Sequence, residues 1–236
     1  RIGDAPPRPL TAAARPLSGV RVLDLTRIIA GPVCGRTLAA HGADVMRVTA
    51  PHLPSVAARV TDAGRGKLST HIDLRAGDGR EALRKMLAGA DIFVQGYRPG
   101  GLDRWGFSPE EAAAIRPGII YVSLSAYGHI GPWSMRRGFD SLIQTASGIN
   151  HAEAEACSQT EPKALPCQAL DHASGYFMAA AAMAALARRA EQGGSWHIRV
   201  SLARTGRWIQ SLGQIDNGFD IADPARTWTS YSVGLA

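Results

Sequence analysis

Five short apolar runs alternate with helical patterns inside the first 125 residues, and that alternation leaves few folds open. Val20-Arg-Val-Leu-Asp-Leu, Ala43-Asp-Val-Met-Arg-Val, Ser69-Thr-His-Ile-Asp-Leu, Asp91-Ile-Phe-Val-Gln-Gly-Tyr and Gly118-Ile-Ile-Tyr-Val-Ser-Leu-Ser read as strands. Between them, Ala30-Gly-Pro opens an amphipathic helix to His41, and Asp78 to Leu87 sets Leu83 and Leu87 on one face. Ser108-Pro-Glu-Glu starts a short helix with a capping serine and proline at its first position. Strands separated by helices at this spacing predict an α/β fold: a doubly wound, mostly parallel, Rossmann-like sheet with flanking helices. Ligands on such a sheet bind beyond the strand C-termini, so the segments after Leu25, Val94 and Leu124 lie on the functional edge.

The chain divides into a polar, proline-rich linker at 1–17, an α/β domain at 18–205, and a helical or extended segment at 206–236. The longest apolar run, Tyr176 to Ala187, falls short of the roughly twenty residues that cross a bilayer, so no membrane partner is expected. Cys34, Cys157 and Cys167 have no metal-like spacing, and an odd number cannot complete a disulfide framework, so reduced thiols and a cytoplasmic location are expected. The histidines likewise show no ligand spacing, and no metal is expected. The formal charge of +6 comes almost wholly from arginine, since Lys67, Lys85 and Lys163 are the only lysines. A basic surface can meet nucleic acid, a membrane or an anionic small molecule, and arginines scattered without a basic run make nucleic acid the weaker reading.

Familiar nucleotide and hydrolase signatures fail here. No G-x-G-x-x-G follows the first strand, and Leu68 replaces the Ser or Thr that a phosphate loop would place after Lys67. There is no G-x-S-x-G elbow either. One carboxylate remains in a suggestive place: Asp171 stands between a short apolar run and the alanine-rich helix Ala173 to Arg189. By its residues alone it is either a helix cap or a reactive group.

Taken together, the motifs resemble those of the family III CoA-transferases, whose superfamily includes formyl-CoA and carnitine-CoA transferases and methylacyl-CoA racemases. The matching text runs from Leu17-Ser-Gly-Val-Arg-Val-Leu-Asp-Leu-Thr through Ala30-Gly-Pro, Gly42-Ala-Asp-Val-Met-Arg-Val, Gly66-Lys-Leu-Ser and Ile72-Asp-Leu. It continues with Arg98-Pro-Gly-Gly-Leu-Asp-Arg-Trp-Gly-Phe, Ser125-Ala-Tyr-Gly-His-Ile-Gly-Pro, Gly138-Phe-Asp, Gln144-Thr-Ala-Ser-Gly and Asp171-His-Ala-Ser-Gly. The resemblance implies transfer of CoA between an acyl-CoA and a carboxylic acid, with Asp171 as covalent nucleophile forming an aspartyl anhydride. It implies coenzyme A, as acyl-CoA substrate, contacting Arg27, Ile28, Ala30, Lys67, Gly96, Tyr97, Arg104 and Arg137. It also implies a homo-oligomer, interlocked in the family. Racemases of the superfamily carry histidine where this chain has Phe139, and a phenyl ring cannot move protons, so racemisation is disfavoured. Typical members are longer, so a partial copy of the family fold, or a non-catalytic CoA-binding module, is the alternative.

Overall fold

The computed structural model describes residues 1–54 and 56–215. Six strands form one sheet: β1 (Arg21–Leu25), β2 (Asp44–Thr49), β3 (Lys67–His71), β4 (Ile92–Gln95), β5 (Ile120–Ser125) and β6 (Trp196–Ser201). Every pairing is parallel and the spatial order is β3-β2-β1-β4-β5-β6. The doubly wound prediction therefore holds. The strand order reverses between β1 and β4, whose Leu25 and Gln95 are register partners at the C-terminal edge. A crevice must open there, because the connections leaving β1 and β4 depart to opposite sides.

Eight helices flank the sheet: α1 (Ala30–Ala40), α2 (Ala57–Ala63), α3 (Gly77–Ala88), α4 (Pro109–Ile115), α5 (Asp140–Ala146), α6 (Ile149–Ala156), α7 (Ala169–Gln192) and α8 (Leu202–Ser211). One face of the sheet packs Val22, Val94, Ile120 and Val122 against Cys34 and Leu38 of α1 and Met178, Ala182 and Leu186 of α7. The other packs Leu23, Phe93 and Tyr121 against Leu83 and Leu87 of α3 and Ala112 of α4. Burial on both faces explains why the central strands are near-continuous apolar runs. Ser108 caps α4 as expected, its hydroxyl accepting from the Glu111 amide while the Glu111 carboxylate accepts from the Ser108 amide.

Helices α1 and α7 approach closely because Gly175 has no side chain. A Cβ there would stand 2.5 Å from the Ala30 carbonyl oxygen and 2.7 Å from Val33 Cβ. The residue one helical turn earlier on the same stripe of α7 is Asp171, which shares the buried side of the helix with Gly175.

Three local expectations change. The third strand begins at Lys67 rather than Ser69, which moves that lysine from a loop into the sheet. The predicted linker is not free: Ile2 donates to the Ser195 carbonyl at 2.9 Å, Gly194 to the Ala5 carbonyl at 2.8 Å, and Leu17 is buried. The boundary set at 205 falls inside α8, and residues 216–236 of the predicted C-terminal segment lie outside the described residues. The strand β6 and helices α5 and α6 have no counterpart in the pattern reading.

Candidate active site

The crevice at the switch point is a groove of about 1260 Å³ including its open mouth. Leu25, Arg27 and Ile28 form one wall, Gly96, Tyr97 and Arg98 another, and Arg136, Arg137, Gly138 and Phe139 a third. Among the described residues, four arginines and no carboxylate residue line this space. None of the four is in a salt bridge with a described residue, though the Arg136 guanidinium lies 4.8 Å from the Trp133 ring centroid. All four are exposed, so water solvates them here, and their shared direction toward one groove suits an anion that several guanidiniums can grip together.

Ile28 adopts φ of 76°, a left-handed conformation that a β-branched residue avoids. Its neighbours over-determine that shape: β1 delivers the chain into the groove, and the buried Ala30 begins α1 immediately afterwards. Strain of this kind costs on the order of 1–3 kcal/mol and concentrates at ligand sites.

Asp171 is the third residue of α7, 5% exposed, and it is not the helix cap: Gln168 stands at that position. Its carboxylate accepts no hydrogen bond from a described residue. Its own amide donates at 2.8 Å to Oδ2 of Asp140, which is fully buried in the first turn of α5. Burial first, and the neighbouring Asp140 charge second, push the Asp171 carboxyl up to about 7, with Arg59 opposing. The helix start would normally favour an anion, but the amide that could supply that favour is spent on Asp140. Asp171 itself does not line the groove; its tie to that space runs through Asp140, which accepts from the Asp171 amide and follows the groove-lining Phe139 in the chain.

The other predicted contacts divide. Arg27, Ile28, Gly96, Tyr97 and Arg137 meet in the groove. Ala30 is buried beneath it, in the cluster with Ile143 and Leu170. Lys67 instead buries its ammonium against Asp24 Oδ2 at 2.7 Å and the Pro32 carbonyl at 2.8 Å, with 1% of each charged side chain exposed. A Cβ on Gly35 would fall 2.4 Å from that Asp24 oxygen, so the glycine makes room for the pair. Arg104 lies on the short 3-10 turn Asp103–Trp105, its guanidinium 4.4 Å from the Trp105 ring centroid, and does not line the groove. Tyr97 meets Trp105 edge to face at 6.5 Å, consistent with loop packing.

Pattern reading missed Arg98, Arg136 and Arg59. Arg98 and Arg136 adjoin residues that were singled out, and their placement after β4 and before α5 was available as a signal. Arg59 lines a cleft beside the groove with Arg27, Ile28 and Arg47, and only tertiary structure brings its field to Asp171.

A family model described as CoA-transferase family III matches residues 17–227. This chain belongs to that family. It is 36% identical over 228 residues to an acetyl-coenzyme A transferase of Hypoxylon pulicicidum, covering 94% of this chain and 37% of that protein. It is 34% identical over 191 residues to the succinyl-CoA:glutarate CoA-transferase of Mus musculus, covering 76% of this chain and 43% of that one. A crystal structure of a CAIB/BAIF family protein from Brucella suis superposes with a TM-score of 0.76 at 32% identity, over 86% of this chain and 59% of that chain. The chain thus spans roughly two fifths to three fifths of the length of these relatives. Among the described residues no helix is long and apolar enough to cross a membrane, and no cluster of three or more His, Cys, Asp or Glu could hold a metal.

Proposed function

We propose that this chain carries the CoA-binding groove and the covalent nucleophile of an enzyme that moves CoA between an acyl-CoA and a carboxylic acid. One observation carries the reading: a buried carboxylate with no hydrogen-bond donor among the described residues is tied through Asp140 to the wall of a groove whose described lining holds four arginines and no acid. In water a carboxylate is a weak nucleophile because its oxygens are solvated. Asp171, 5% exposed, has lost most of that solvation and gained no donor among the described residues in exchange.

Asp171 in its ionised form attacks the thioester carbonyl. The carbonyl–sulfur bond breaks, CoA leaves as thiolate, and an aspartyl acyl anhydride remains. The thiolate returns to the aspartyl carbonyl, releasing the donor's acid and leaving an aspartyl-CoA thioester. The acceptor carboxylate repeats the attack, expels the thiolate and forms a second anhydride. Thiolate attack on the acceptor's carbonyl then yields the new acyl-CoA and free Asp171. No proton is consumed and no redox step occurs, so a site of fixed cations and one carboxylate suffices.

Arg27, Arg98, Arg136 and Arg137 suit the phosphates of CoA, because a planar guanidinium grips two oxygens at once. Strained Ile28 brings the β1–α1 backbone against the ligand. Lys67 serves the reading indirectly, by locking β3 and α1 to Asp24 beside the groove. Arg104 would reach the ligand only from the rim. A homo-oligomer and a cytoplasmic location belong to the same proposal. Partly exposed Phe177 and Trp208, stacked edge to face at 4.8 Å, are apolar surface that a second copy could cover.

The decisive experiment incubates the chain with an acyl-CoA and then hydroxylamine. Mass spectrometry should find a hydroxamate on Asp171, lost in Asp171→Ala. Modification persisting elsewhere in that variant, or none in the wild type, would end the proposal.

A further inference from the structure

Two buried residues of α5 connect to the start of α7 through a network in which donors and acceptors fit one way only. The Asp140 carboxylate accepts at both oxygens: Oδ2 from the Asp171 amide at 2.8 Å, and Oδ1 from Gln144 Nε2. Gln144 Nε2 also donates to the Cys167 carbonyl at 3.2 Å, while its Oε1 accepts from the Leu165 amide at 2.9 Å. Both side chains are fully buried. A carboxylate is acceptor-only and a primary amide carries both polarities, so exchanging either residue's chemistry leaves a donor facing a donor or an acceptor facing an acceptor.

Every tie runs toward the same place. Leu165 and Cys167 form the segment leading into α7, and Asp171 sits in its first turn. The chain there makes no other use of Asp140: it forms no salt bridge with a described residue. A buried, uncompensated carboxylate is a costly way to cap a helix whose first turn already contains another acid, when Ser or Asn would serve.

We propose that Asp140 and Gln144 are positioning residues for the nucleophile: they fix the start of α7 and set the Asp140 carboxylate beside Asp171. This rests on the transferase reading for its purpose, although the geometry stands without it. A fixed anion raises the basicity of the neighbouring carboxylate and so its intrinsic reactivity once ionised, at the cost of needing a higher pH to ionise it. The charged groups facing Asp171 are Asp140 from α5 and Arg59 from α2, and they act in opposite directions.

The test follows Asp171 directly in the full 236-residue chain, by carboxyl-carbon NMR titration and amide hydrogen exchange, alongside the pH dependence of acyl-CoA trapping. In Asp140→Asn the Asp171 midpoint should fall by about one pH unit, while the plateau trapping rate above pH 8 drops about tenfold. Exchange at the Leu165 amide should quicken at least about tenfold in Gln144→Leu, since its acceptor is gone. Asp140→Glu, which keeps the charge, should hold the midpoint within a few tenths of the wild type. A purely structural role predicts the opposite pattern: an unmoved midpoint, with activity lost in proportion to folded protein. An unmoved midpoint in folded Asp140→Asn overturns the proposal. Should neither α5 variant fold, wild-type hydrogen exchange decides: slow exchange at the Asp171 and Leu165 amides supports the network, and exchange at an unprotected rate overturns it. The NMR results as expected with no Asp171 adduct would sink the transferase reading and leave the positioning intact.

Discussion

At the N-terminal edge of the sheet Asp91 is surrounded by donors, whereas at the C-terminal edge Asp171 has none. The Asp91 carboxylate accepts from Arg8 at 2.8 Å, Arg189 at 3.1 Å and the Arg21 amide at 3.1 Å, with Arg116 3.7 Å away. Both acids are about equally buried, at 3% and 5% exposed. The difference lies in what each edge must do. Asp91 ties the N-terminal strap, β1, α7 and the α4–β5 turn into one unit, so its charge is compensated several times over. Asp171 is buried with no such compensation among the described residues, the kind of environment that functional carboxylates share.

That contrast can be broken most severely at Asp171, the proposed nucleophile. Asp171→Ala should lower acyl-CoA trapping or transfer at least about a thousandfold, on the scale of losing a covalent nucleophile, yet leave the melting temperature level or raised. A fall in stability would mean the carboxylate is a structural partner after all. Asp91→Ala should behave the other way round, destabilising by about 3–5 kcal/mol in denaturant titration because it strands buried Arg189. Lys67→Met, which strands Asp24, should cost a similar amount. Its CoA affinity when folded should stay near the wild type, and a large affinity loss at full stability would restore the phosphate role.

Protonation offers the next test. The folded Asp171 carboxyl, near 7, lies above the roughly 3.9 of an unfolded chain, so the native state binds the extra proton between those values. Stability should therefore fall as pH rises through that window, by on the order of 2–4 kcal/mol, and Asp171→Asn should flatten the fall. Trapping should instead rise with pH to a plateau above about 7. Arg137→Ala should weaken binding of a non-hydrolysable CoA analogue about tenfold or more, measured by calorimetry, without moving the melting temperature of the free protein. The smallest effect is expected from Ile28→Gly, which should stabilise the apo chain by about 1 kcal/mol through relief of its left-handed backbone while loosening ligand binding.

Much of the frame was legible before any coordinates. Period-2 and continuous apolar runs located five strands, and their alternation with helices required a parallel sheet with its ligand edge after β1 and β4. The groove residues Arg27, Ile28, Gly96 and Tyr97 were implied by the family resemblance, and the topology puts the segments that carry them on that edge. Strand β6 escaped because His197 and Arg199 interrupt its apolar character; as an edge strand it carries partly exposed side chains along most of its length. Lys67 was misplaced for a different reason: a lysine in a glycine-rich stretch looks solvated until the fold brings Asp24, 43 residues away in sequence, within 2.7 Å.

The order of its motifs and its hydrophobic periodicity determined the family and the sheet by themselves, since both are written locally along the chain. Which charges are satisfied was decided by tertiary structure alone. Asp24, Asp91, Asp140 and Asp171 are the same side chain in the sequence. Only folding gives one an ammonium, one a set of guanidiniums, one an amide pair and one no donor at all. Ionisation and reactivity depend on donors and solvent within a few ångströms, and those neighbours come from segments that the sequence keeps far apart.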